Sequence, residues 1–455
     1  MSTKGDIGDV INNGFCIGCG SCQVGTSIGT VENAYGMFLP NTQKYNDLNS
    51  AACAFSNQSV NERAIGKELF SNASKAISHK YIGSYLGLYA GNILDSEKRL
   101  KATSGGITKW ILSKLLEDRV VDAVIHVVRS DNDSLFIYDI AHSIDDVMNG
   151  SQSAYYTTNF SKVMNKLLDD TSDKTYAFVG VPCYCKSIRL LQKTNAHLKK
   201  KIKVVVGILC GHMKTKNYAK YMAWESGLKP DDITYVNFRK KNNTSASDYI
   251  FNATSKTNEV SIPRNKLHGG NYNIPHMKYK ACDFCEDVFA YTADVVLGDA
   301  WLPKYVSDPN GTNVVIVRSK HVLELFQKYE SELFLESLNE EEMLKSQGSS
   351  YSHRIEEIGF RLHIEEEKGN WYPDKTIKPT PNLKDKTREN IQRLRIEIRE
   401  VTHEKFAEAL ESDNIDVYHK ALRPMILKLN SFYRGNSNRI VGKIKKLVRK
   451  VLVKS

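Results

Sequence analysis

The sequence predicts an α/β protein: a mixed sheet covered by helices, with a small cysteine-rich unit before it and a helical region after it. Three observations point to that class. Between about residues 100 and 320, short β-branched runs alternate with amphipathic stretches, the pattern of a parallel or mixed sheet with helices on its faces. The first 60 or so residues are rich in Cys, Gly, Asn and Ser and show little helical period. Beyond 320 the chain turns charged and amphipathic at helical spacing.

The elements follow in order. Residues 1–65 form the small unit, which holds too few apolar residues for a core of its own and is expected to be stapled by a cofactor. Residues 80–320 form the main α/β domain. Within it, Ile107–Arg119 carries apolar residues at 107, 110, 111, 112, 115 and 116, one face of a helix. Val120–Val128, Tyr176–Gly180, Val204–Ile208, Asp294–Leu297 and Val314–Val317 read as strands. Residues 321–430 are expected to be helical, with Lys320–Leu338 and Lys386–Ser412 as long helices, and 431–455 form a basic tail.

Composition bounds the rest. The 455 residues are 41% hydrophobic and 25% charged, an ordinary globular balance that excludes a disordered or collagen-like chain. The start, MSTKGDIGDV, lacks the basic and apolar regions of a secretory signal, and no run of 18 apolar residues occurs. The expected location is the cytoplasm, where disulfides are rare. Nine clustered cysteines then point to metal binding. The net charge is +11, but Ser431 to Ser455 holds eight Lys or Arg and no acid. The remainder is close to balanced, which argues against a nucleic-acid surface.

Four cysteines lie early: Cys16, Cys19 and Cys22 at x2 spacing, then Cys53. Three in series within a loop holding Gly14, Gly18 and Gly20 suit a 4Fe-4S cluster, which needs thiolates converging on a cube. A two-cluster ferredoxin run reads C-x2-C-x2-C-x3-C-P. Here Thr26 stands at the fourth position. If Cys53 closes a second run, its first three ligands fall at Gln43, Asn46 and Asn49, with Ala54 in place of Pro. One cluster's ligands are thus all absent and the other's all present. A zinc site is the alternative, although zinc usually takes C-x2-C pairs.

Thr103-Ser104-Gly105-Gly106 precedes the helix at 107. Such a loop can bring N–H groups to an anion at a helix N-terminus, or be an ordinary N-cap. Both readings stand. A second cysteine set comprises Cys183, Cys185, Cys210, Cys282 and Cys285. Cys183 and Cys210 follow predicted strands, where α/β sheets bind ligands. Cys183, Cys210, Cys282 and Cys285 are assigned to a second centre, with zinc, a redox dithiol or free buried thiols as alternatives. Cys185 is left out. His126, His212, Asp299 and Trp301 are candidates for a nearby pocket, with plain packing preferred for His126.

Together these pieces resemble the beta subunit of coenzyme F-420 (deazaflavin) hydrogenases and dehydrogenases. The matching elements run in order: Cys16 to Cys22, Thr103 to Gly106 with Thr108, Gly180-Val181-Pro182-Cys183, Leu209-Cys210-Gly211-His212, and Cys282-Asp283-Phe284-Cys285 ahead of Ala293 to Trp301. The resemblance covers roughly residues 10 to 305. It implies a ferredoxin-like N-terminal unit and an FAD-binding α/β domain, an oxidoreductase passing electrons between 4Fe-4S clusters, FAD and a hydride donor or acceptor. Thr103, Ser104, Gly105, Gly106 and Thr108 would then lie against FAD, with Ser153 and Tyr155 near the flavin. The family often has Gly-Ser-Lys-Tyr where this chain has Gln152-Ser153-Ala154-Tyr155, and the missing Lys bears on deazaflavin use more than on FAD. The implied partners are a small-molecule substrate and a redox partner such as ferredoxin or a reduced (deaza)flavin donor. Some relatives occur in surface-polysaccharide pathways.

In the tail, Ile440, Val441, Ile444, Leu447, Val448, Val451 and Leu452 recur at helical spacing, with lysines and arginines on the other face. Residues 436–455 fit peripheral contact with the inner membrane face equally with a docked terminal helix. The functional alternatives are a zinc-binding, non-redox scaffold of a glycan pathway, and a thiol–disulfide enzyme using Cys183 and Cys185.

Overall fold

The computed structural model describes residues 5–130 and 134–452, with side chains described as far as 434. Its centre is an eight-stranded sheet. In chain order the strands are β1 (Gly87–Ile93), β2 (Ala123–Arg129), β3 (Phe136–Ala141), β4 (Tyr176–Gly180), β5 (Ile202–Ile208), β6 (Val295–Asp299), β7 (Asn313–Val317) and β8 (Leu333–Ser337). Their spatial order is β8-β1-β7-β6-β5-β4-β2-β3. The inner strands β2, β4, β5 and β6 are parallel, and every pairing outside them is antiparallel. The sheet is therefore mixed, as the sequence predicts.

Both faces are covered, which explains the continuous apolar strands. Val204, Val206, Val295 and Leu297 share a core with Ile107, Ile111 and Leu115 of the helix Ile107–Glu117 and with Val322 and Leu325 of the helix Lys320–Lys328. Val205 and Val296 point the other way, into a core with Ile188 and Leu191 of the helix Pro182–Thr194 and Val163 and Met164 of the helix Ser161–Asp169. A second sheet, Ile233–Lys241, Tyr249–Ser255 and Glu259–Pro263, is a three-stranded antiparallel meander. Its core also takes residues of Lys386–Glu411 and of the helix that begins at Ile415.

Residues near the N-terminus join the core that holds Val205 and Val296. Phe15 is fully buried and meets Phe284 and Trp371 edge-on, with ring centroids 5.3 and 5.5 Å apart. Burying one such ring is worth ~2 kcal/mol. The segment around the first cysteines is thus anchored on the main domain.

One predicted element is corrected. Lys320–Leu338 is not one helix: the helix ends at Lys328, and Leu333–Ser337 is edge strand β8. Gly91 in β1 permits this, because a Cβ there would sit 2.1 Å from Phe334 O. The amphipathic reading of 436–455 concerns side chains outside the described residues. Among the described residues, no helix is long and apolar enough to cross a membrane.

Candidate functional site

Cys16, Cys19, Cys22 and Cys53 line one cavity. The loop is shaped by glycines with left-handed backbone. Gly18 has φ +69°, and a Cβ there would lie 2.6 Å from Phe38 O. At Gly20, φ +83°, it would lie 2.2 Å from Asn159 Oδ1. Only glycine fits such positions without strain. The loop is tied down by Phe160 N–H donating to Cys19 O at 2.9 Å and Asn49 N–H donating to Cys22 O at 3.0 Å. Burial is the main force raising all four thiols, pushing Cys16 up to about 12. For Cys19 and Cys22 the charges of other thiols in the set come next, Cys53 first. All four border the same cavity.

The second set is built from three separate segments. Cys183 lies in the first turn of Pro182–Thr194, Cys210 leaves the carboxyl end of β5, and Cys282 and Cys285 sit on the turn Lys280–Phe284 and the residue after it. Burial raises the Cys183 thiol most, followed by the charges of Cys285, Cys210 and Cys282. Burial also pushes Cys210 up to about 12 and Cys282 up to about 11. Met213 N–H donates to Cys282 Sγ at 3.2 Å, and the Arg354 guanidinium donates to Cys285 Sγ.

Cys185 stands apart from these four. Two residues along a helix from Cys183, it is turned by about 200°. It is fully buried and donates to Gly180 O at 3.2 Å. The two sets are neighbours: Phe15, beside Cys16, meets Phe284, between Cys282 and Cys285, with ring centroids 5.3 Å apart.

The loop at 103–106 lies over β1 and β7. Gly105 is required by packing, since a Cβ there would meet Gly91 O at 2.7 Å and Asn313 N at 2.9 Å. Ser104 Oγ donates to Thr312 O at 3.2 Å, and Ile107 N–H donates to Asn313 Oδ1 at 3.1 Å. Among the described residues, the backbone N–H groups of Ser104, Gly105, Gly106 and Thr108 have no acceptor. Lys241 Nζ clamps the loop, donating to Arg99 O, Ser104 O and Asn310 O at 2.6, 3.0 and 2.7 Å. Burial lowers Lys241 to about 8, with nearby Arg99 as the next cause. Thr103 and Ser104 border an open pocket with Tyr249, Asp299 and Trp301. Asp299 holds Arg239 through two bonds of 2.8 and 3.0 Å.

Tyr155 lies between this pocket and the second thiol set. Its ring is 4.4 Å from Tyr272 and 5.3 Å from Phe238. Tyr272 stacks on His212, centroids 4.4 Å apart, and its hydroxyl donates to His212 O at 2.5 Å. Ser153 is half-buried on the same segment as Tyr155. His126 is buried in β2 against Gly150, as plain packing requires. The sequence did not single out Lys241, Tyr272 or Arg354, because each matters only through a contact far along the chain.

Among the described residues, no three His, Cys, Asp or Glu side chains are grouped so that they could hold a metal ion. A zinc ion draws its thiolates to about 2.3 Å from one point. Four thiols set around a cavity suit a larger iron–sulfur group. For an anionic cofactor, the unpartnered N–H groups at 104–108 supply matching donors.

Comparisons with known proteins agree with this frame. Residues 88–165 match the family model described as coenzyme F420 hydrogenase/dehydrogenase, beta subunit N-term, and residues 173–342 match its C-terminus counterpart. One subunit of the F(420)H(2) dehydrogenase of Methanosarcina mazei is 22% identical over 335 residues, 71% of this chain and 83% of the relative. An uncharacterised protein of Methanocaldococcus jannaschii is 24% identical over 233 residues, 51% of this chain and 80% of that one. A chain of the F420-reducing [NiFe] hydrogenase complex from Methanosarcina barkeri shares the fold, with TM-score 0.50 and 17% identity, over 66% of this chain and 98% of that chain. The chain belongs to the coenzyme F420 hydrogenase/dehydrogenase beta subunit family and is an oxidoreductase.

Proposed function

We propose that this oxidoreductase moves electrons between two 4Fe-4S centres and an FAD, and through the FAD exchanges a hydride with a small-molecule substrate. Cys16, Cys19, Cys22 and Cys53 would hold the first centre, and Cys183, Cys210, Cys282 and Cys285 the second. The observation that supports the reading is the pair of four-thiol sets on segments that touch, Phe15 beside Cys16 meeting Phe284 between Cys282 and Cys285 with ring centroids 5.3 Å apart. Residues 1–65 then act as the electron entry unit, 80–320 as the flavin domain, and 321–430 as a buttress that brings Arg354 to the second set.

Thr103 to Gly106 and Thr108 would receive the FAD phosphates on free N–H groups, with Lys241 adding positive charge behind the loop. A flavin, when bound, supplies the exchange between hydride pairs and single electrons. The chain's own residues do the rest. Arg239 and Asp299 hold each other rigidly beside the pocket, Trp301 offers a ring that is 38% exposed, and Tyr155 and Tyr272 fill the space towards Cys210. The dehydrogenase and hydrogenase relatives are named for coenzyme F420, and a deazaflavin is one candidate substrate here, though Ala154 stands where the family often has Lys. A protein partner is also part of the proposal, because the solved neighbour is a chain of a hydrogenase complex. Placement in a surface-polysaccharide pathway rests on the resemblance alone.

The test is anaerobic purification followed by iron, labile sulfide, zinc and flavin determination. The reading expects about eight iron, eight sulfide and one FAD per chain. Zinc without labile sulfide would overturn it.

A further inference from the structure

The two thiol sets differ in the charge that faces them. Arg354 lies on a short π-helical turn, Ser352–Glu356, and is 2% exposed. Its guanidinium donates to Cys285 Sγ, to Cys285 O at 3.1 Å, to Asp287 O at 2.7 Å, and to Cys210 O. No carboxylate of the described residues forms an ion pair with it. A buried cation needs a counter-charge, and the side-chain atom Arg354 touches is the Cys285 sulfur, which is a thiolate when it ligates an iron–sulfur centre. The turn is locked in place from outside the family-matched residues: Arg361 donates to His353 O at 2.6 Å and to Asp283 O at 2.9 Å, and Arg399 pairs with Asp283 at 2.5 Å.

Among the described residues, no cationic side chain donates to a thiol of the first set. Lys186, whose charge reaches Cys53, donates to Ala54 O at 2.8 Å and pairs with Glu62 at 3.0 Å. The bond received by Cys16 Sγ comes from the neutral Gly18 N–H at 3.5 Å. Hydrogen bonds to ligand sulfurs and local charge set an iron–sulfur centre's potential. A cation on the sulfur favours the reduced state, which carries one more negative charge.

We infer that Arg354 is a positioning residue that holds the potential of the centre on Cys183, Cys210, Cys282 and Cys285 above that of the centre on Cys16, Cys19, Cys22 and Cys53. The second centre is then the electron sink of the pair. The electron it gains is the one the reduced first centre loses, and no bond is made or broken. This rests on the two-centre reading above.

The experiment is a redox titration of the full chain followed by electron paramagnetic resonance, with iron counted in each sample, for wild type, Arg354→Lys and Arg354→Gln. The expected result is a lower midpoint for one centre in Arg354→Gln, partly restored in Arg354→Lys, with the other centre's midpoint and the iron content unchanged. Wild-type midpoints in a fully loaded Arg354→Gln protein would overturn the inference. So would loss of half the iron from both variants, which would make Arg354 a builder of the site and not a tuner. Cys210→Ala tests the underlying reading separately: unchanged iron there would remove the second centre itself, and the role of Arg354 with it.

Discussion

Cys16, Cys19 and Cys22 reach their cavity from a single loop of seven residues, whereas Cys183, Cys210 and the Cys282–Cys285 turn arrive from two connections of the main sheet, β4 to β5 and β5 to β6. The first set is shaped by local backbone, with left-handed glycines bending the chain around it. The second is shaped by topology, with two strand ends and a distant turn brought together by the fold. The difference extends to electrostatics. Local construction leaves mainly N–H groups around the first thiols, while long-range construction lets a far arginine reach the second.

The sharpest way to break that contrast is to remove one ligand from each set. Cys22→Ala should lose about half of the iron and keep the rest, and Cys210→Ala should do the same with the opposite half. Iron and sulfide counts on the two variants check this. Loss of all iron from either would mean that the sets are not independent.

A smaller effect is expected at the loop. In Gly105→Val, side-chain atoms would be forced against Gly91 O and Asn313 N, overpacking that should cost about 1–3 kcal/mol. Thermal melts should fall and bound flavin should be lost, while iron in both sets stays. A variant that melts like wild type would show that β1 and β7 do not pin the loop.

The pH dependence sharpens the same region. Lys241, lowered to about 8 by burial and then by Arg99, is charged below that pH and neutral above it. Attraction for a phosphate is therefore present below about 8 and is lost as pH rises through it. Flavin affinity, measured by fluorescence quenching, should weaken over that range. Lys241→Arg should flatten the dependence.

The smallest change is expected from Cys185→Ala. Its thiol bonds only to backbone carbonyls, so the variant should lose about 1 kcal/mol and no iron, whereas Cys183→Ala loses half. Equal iron loss from both would merge Cys185 into the second set.

These contrasts also mark what the sequence could reveal. The strand Tyr176–Gly180 and the helices at 107 and 386 were legible because their apolar periods are clean. Strand β8 was hidden inside a helix-like charge pattern, and it exists because Gly91 lets it pair with β1. The first cysteines announced themselves by spacing. For the second set, strand-end positions placed Cys183 and Cys210 and left Cys185 out, and the structure adds that Cys185 turns into the core to bond with Gly180 O and Val206 O. Arg354 left no local trace: it lies 69 residues from Cys285, and its role depends on a π turn fixed by Asp283, Arg361 and Arg399.

The central claim is that two iron–sulfur centres lie side by side in this chain. Electron paramagnetic resonance of the fully reduced wild-type protein, compared with Cys210→Ala, tests it most directly. Two neighbouring centres predict a broadened, spin-coupled spectrum in the wild type that collapses to one simple signal in the variant. Identical spectra from the two proteins would contradict it.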